Sequence, residues 1–64
     1  MQDKLVWRCR VPGPLEMVAE VVQIEEGLRY RKLFDGELVE CVPITPELAG
    51  DLFFGLVALG WQTE

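Results

Sequence analysis

An α+β fold, four antiparallel strands in a meander followed by one C-terminal helix, is predicted by three features of this 64-residue sequence. Apolar and polar residues alternate from Lys4 to Val11, the period-two pattern of a strand with one polar face. Asp35-Gly36 between two apolar runs is a strong two-residue hairpin signal. Thr45-Pro46-Glu47 opens a segment that keeps helical apolar spacing as far as Trp61.

Taken in order, the first strand is expected over residues 4–11, with Leu5, Trp7, Cys9 and Val11 on one face. Pro12-Gly13-Pro14 stops it, since proline cannot feed a ladder and glycine permits the turn. That connection leaves the register of strand one open, so Trp7 is assignable to either face. Residues 15–26 admit a helix between Pro14 and Gly27. The branched Val18, Val21, Val22 and Ile24 favour a strand over 17–24 instead.

Glu25-Glu26-Gly27 fits a three-residue loop with glycine in the left-handed position. It would set Ile24 against Leu28 and Val22 against Tyr30 in a third strand over 28–34. The Asp-Gly turn would then pair Leu33 with Leu38 and Arg31 with Glu40 in a fourth over 37–42, an opposite-charge match across the strands. One face thereby collects Val18, Val22, Ile24, Leu28, Tyr30, Phe34, Val39 and Cys41 as a floor for the helix. The other keeps Met17, Ala19, Val21, Leu33, Leu38 and Val42 beside charged residues.

The helix is expected over residues 46–61. Thr45 serves as N-cap, Pro46 as first helical residue, and Glu47 and Asp51 favour the positive end of the dipole. At about 100° per residue, Leu48, Leu52, Leu56 and Leu59 form one row and Ala49, Phe53, Val57 and Gly60 the next, an apolar arc of roughly 200°. That is about twice what one core needs. A membrane span would require about 20 apolar residues, and this run is shorter and carries Asp51.

Composition narrows the function classes. A chain this short forms one small domain and buries only about 60% of its unfolded surface, so association is a natural aid to stability. The sequence has no histidine and two cysteines, which argues against metal, and no cofactor is implied. Met1 to Val11 contains no apolar leader run, which favours a cytoplasmic protein with reduced thiols. Net charge is −5, with every base in the first half and six acids but no base in residues 33–64. Such a surface argues against direct nucleic-acid binding.

Catalysis finds no support in the residues. Cys9 lies between Arg8 and Arg10, yet on a strand it points away from both, and a buried structural thiol is the simpler assignment. Cys9 and Cys41 would meet only if strands one and four were neighbours, which a meander prevents. Glu25 and Glu26 sit in a turn, and Gly50, Gly55 and Gly60 recur within helical spacing rather than between strand and helix.

The expected function is therefore a non-catalytic interaction module, self-associating as a homo-oligomer or docking on a protein partner. Phe54, Trp61 and Val57 on the helix, with Leu33 and Leu38 on the second sheet face, are its candidate binding residues, because aromatics at the edge of an apolar face are typical anchors. The alternative is an acidic inhibitor of a nucleic-acid-handling protein, of the kind mobile elements direct against restriction or CRISPR systems. Such a protein would act through mimicry or by blocking a site, and would use Glu37, Glu40, Glu47 and Asp51.

Overall fold

A computed structural model describes residues 3–64. Its elements are β1 (Lys4–Val11), β2 (Met17–Ile24), β3 (Gly27–Phe34), β4 (Glu37–Ile44), α1 (Pro46–Ala58) and the short β5 (Gln62–Thr63). The sheet order is β4-β3-β2-β1-β5, antiparallel throughout. This is the ββββα arrangement that the hydrophobic patterning predicts, and residues 17–24 are strand rather than helix. The addition is β5. After the helix the chain returns to the outer edge of β1, pairing Gln62 with Arg10 and Thr63 with Cys9.

Two turns decide which side chains face the helix. At Asp35-Gly36 both residues take positive φ, 51° and 86°, as a type I′ hairpin turn requires. Phe34 pairs with Glu37 and Leu33 with Leu38. A bulge at Val39 then shifts the ladder, so Arg31 faces Cys41 and Lys32 faces Glu40. The expected Arg31–Glu40 match is not formed. At Glu25-Glu26 the turn spans two residues, not three, because Gly27 pairs directly with Ile24. The whole β2–β3 register therefore moves by one residue from the expected one, and a one-residue slip exchanges the faces of a strand.

The consequence is a different floor. Val21 now faces Tyr30 and Ala19 faces Lys32, while β1 places Trp7 opposite Val21 and Cys9 opposite Ala19. Trp7, Cys9, Ala19, Val21, Leu28, Tyr30, Phe34, Val42 and Ile44 share the helix side. Val18, Val22, Cys41 and Leu38 turn away from it, contrary to the expected placement of Val18, Val22 and Cys41. Cys9, Ala19 and Val21 are fully buried and Ala49 of α1 nearly so. The rings of Trp7 and Phe53 lie 5.6 Å apart, tilted at 59°, within the spacing at which aromatic edges and faces attract. The Trp7 indole N–H in this layer is buried without a partner among the described residues, a desolvation cost of about 1–3 kcal/mol that the ring's burial offsets.

The reason for the observed register lies on the opposite face. Glu20, only 3% exposed, stands between Arg8 of β1 and Arg31 of β3, its partners across the two ladders. Arg8 Nε donates to Glu20 Oε2 at 2.8 Å, and Arg31 Nη2 donates to Oε1 at 2.8 Å. The expected register would have turned Glu20 onto the apolar floor opposite Lys32, with a single lysine in place of this pair of arginines. A buried carboxylate is strongly unfavourable without partners, and the arginine pair is available in only one register.

Candidate interaction surface

The helix begins where its sequence says it should. Thr45 has extended backbone and its hydroxyl accepts from the Leu48 N–H at 3.1 Å, with Pro46 in the first turn. It ends at Ala58, earlier than the apolar pattern suggested, because Gly60 takes φ 96° and turns the chain toward β5. Trp61 thus lies beyond the helix, half-buried against its end, with its N–H donated to the Leu56 carbonyl at 3.1 Å.

α1 uses little of its apolar arc on its own sheet. Ala49 is its one buried residue. Leu59 is 78% exposed and Phe54 74%, with Leu48 and Val57 near half. Phe53 reaches Phe54 edge-on at 6.0 Å, so Phe54 is steadied from one side and open on the other. A shallow apolar trough of about 270 Å³ runs along Leu48, Leu52, Leu56 and Leu59, with Gly55 in its floor and Asp51 at its rim.

Chirality decides what this leucine row overlooks. Proline enters a ladder where its nitrogen faces away from the neighbouring strand, so Pro43, opposite Arg29, fixes which β4 residues bond inward. Viewed from the helix side with β4 running upward, β3, β2 and β1 then lie successively to its right for L-residues. α1 leaves the top of β4, where Ile44 pairs with Leu28, and its chain next pairs at Gln62 with Arg10 near the foot of β1. A right-handed helix on that diagonal turns Leu48, Leu52 and Leu59 toward the open half of the floor, where Phe34 and Val42 are more than a third exposed. Phe54 and Val57 face the other way.

The five expected contact residues are therefore not one patch. Phe54 and Val57 belong to one flank of α1, and Trp61 lies beyond its C-terminal end. Leu33, half-buried, and Leu38, 55% exposed, lie on the opposite face of the sheet, directly paired with each other. Periodicity alone found an apolar arc wider than one core needs but did not say that the Leu48–Leu59 row lies on its exposed part.

The opposite face sets a cluster of ion pairs beside apolar Val18, Leu33 and Leu38. A hollow of about 220 Å³ is lined by Arg8, Arg10, Glu16, Glu20 and Glu64 among others. The arginines of the hollow already have carboxylates: Arg8 shares Glu20 with Arg31, and Arg10 meets Glu16 at 3.0 Å and Glu64 at 3.2 Å, while Arg29, further along this face opposite Pro43, makes no ion pair with the described residues. Balanced pairs leave little free charge for an anionic ligand. Burial pushes the Glu20 carboxyl up, but the hydrogen bonds and charges of Arg8 and Arg31 outweigh it and hold the group below its ordinary value.

The thiols separate in character. Cys9 is sealed beneath the helix, where burial pushes its thiol up and away from thiolate reactivity. Cys41 is free and exposed on β4, three strand positions from Cys9 in the sheet order. Among the described residues no group of three or more His, Cys, Asp or Glu is placed to hold a metal ion, and no helix is long and apolar enough to cross a membrane.

The sheet edges are partly guarded. β5 covers the Cys9–Arg10 end of β1, and β4 carries a bulge at Val39 and a proline at position 43, devices that discourage strand addition. Set against known proteins, the chain matches no family model, no curated protein and no solved structure.

Proposed function

We propose that this chain is a non-catalytic interaction module that contacts protein, another copy or a partner, through the apolar flanks of α1. The exposure of Phe54 and Leu59, 74% and 78%, supports this most directly. Single exposed apolar residues are ordinary on protein surfaces. A run of them along both flanks of one helix is the kind of patch that marks contact sites. The test is capture of partners from the native host by wild type and by Phe54→Ala and Leu59→Ala, with light scattering for self-association. Loss of a captured protein or of a dimer in either variant supports the module. A strictly monomeric chain whose captured proteins are the same in all three sinks it.

A second reading has one observation in its favour. Glu37, Glu40, Glu47 and Asp51 are all exposed, the first two on the helix-side face of β4 and the others on the outward side of α1. A basic nucleic-acid-handling protein would meet them together. Strongly salt-dependent binding to such a protein would support inhibition by acidic surface, and charge reversal at all four without effect would remove it.

A further inference from the structure

We infer that the corner between the leucine row of α1 and the open floor of β3–β4 accepts a cationic amphipathic helix from a partner protein. This rests on the interaction reading above and names its occupant. The wall of the corner is Leu48, Leu52 and Leu59, notched at Gly55. Its floor is apolar at both ends, at Phe34 and Val42, 39% and 37% exposed, with the Lys32–Glu40 pair between them. Two strands at about 4.8 Å spacing make a floor about 10 Å wide, which is the diameter of one helix. A helix laid there would meet the leucine wall on one side and, on the other, a floor whose ends are apolar and whose middle is an ion-pairing row, an arrangement related to helix-in-groove recognition.

Charge selects the occupant. On this side of β3–β4 the one base is Lys32, and it is opposite Glu40. Asp35 and Glu37 stand at the lower end of the floor, and Glu47 and Asp51 on the outer side of the helix, all exposed. The rim is left with unanswered carboxylates. A second copy would bring an apolar row flanked by the same acids, with no base between residues 33 and 64, and like charges across a contact weaken it. An apolar helix flanked by lysine or arginine satisfies both the corner and its rim.

The experiment titrates the isotopically labelled chain with two synthetic heptad peptides, one of leucine and lysine, one of leucine and glutamate, and follows amide shifts. The lysine peptide is expected to perturb Phe34, Val42, Leu48, Leu52, Gly55 and Leu59. Its binding should weaken at least tenfold in Glu37→Gln/Glu47→Gln/Asp51→Asn and again in Leu48→Ser/Leu59→Ser. All five positions are exposed, and circular dichroism checks that each variant is folded. Equal binding of the glutamate peptide overturns the inference, as do shifts centred on Phe54 and Val57 or on the arginine face. Self-association that perturbs the same corner before any peptide is added makes a second copy the occupant and also overturns it. If neither peptide binds but Phe54→Ala or Leu59→Ala still loses a captured partner, the corner is wrong and the module stands.

Discussion

At the scale of single residues, Glu20 does more than any other side chain to define this sheet. It is acidic, buried and central, and it is tolerable because Arg8 and Arg31 bracket it across two ladders at 2.8 Å. Both arginines are about one-third exposed, so part of their charge is already satisfied by water. Replacing Glu20 by Gln leaves two close cations with a weaker acceptor. The expected loss is about 2 kcal/mol in urea denaturation, below the 3–5 kcal/mol typical of a fully buried pair. The pH dependence follows from the same contacts. Because the folded carboxyl titrates below its ordinary value, its contribution is full above the unfolded carboxyl's pKa. That contribution is lost as pH falls through the lower, folded value. Wild type should therefore lose stability on acidification more steeply than Glu20→Gln, and parallel stability–pH curves would show that the triad is not the coupled group.

At the scale of elements, the helix and hairpin starts were legible because each is encoded within four residues. Thr45-Pro46 and Asp35-Gly36 satisfy local backbone demands that no distant contact can supply. Thr45→Ala should cost about 1 kcal/mol and lower Tm by roughly 4–8 °C, with Thr45→Ser nearly neutral; an unchanged melting curve for Thr45→Ala would mean the cap bond contributes nothing. The strand faces were legible only in part. β3 presents Leu28, Tyr30 and Phe34 to the helix as its pattern predicts, but β2 is apolar at Met17, Val18, Ala19, Val21 and Val22, so its own alternation does not choose a face. The choice came from a long-range polar contact, Glu20 to Arg8, twelve residues away. The bulge at Val39 and the return strand β5 were likewise hidden, since neither has a local signature in this sequence. The candidate site inherited that limit: Phe54 and Val57 were found from helix periodicity, while the exposure of Leu48 and Leu59 required knowing where the helix lies on the sheet.

At the scale of the whole molecule, the chain is a thin slab of 34 × 24 × 17 Å with more surface than its mass calls for. Its accessible area is 4580 Å², against roughly 4,200 Å² for a typical monomer of 7.3 kDa. One helix crossing a sheet of four long strands cannot cover it, and the same helix cannot hide its own arc against a floor it crosses diagonally. The surplus is apolar, as the exposure of Leu48, Phe54, Val57 and Leu59 shows. Side chains that fold the protein and side chains that merely coat it should respond differently to substitution. Phe54→Ser/Leu59→Ser removes two large apolar groups that contribute little buried area, so stability in urea should stay within about 0.5 kcal/mol per site. The native state should at the same time bind less of a dye such as ANS and remain soluble to higher concentration. Phe53→Ser, one residue away but with its ring tilted against Trp7, should instead cost about 3 kcal/mol or more. Were the double variant to destabilise the fold as much as Phe53→Ser does, Phe54 and Leu59 would be part of the core's support, and the surface assigned to contact would belong to folding.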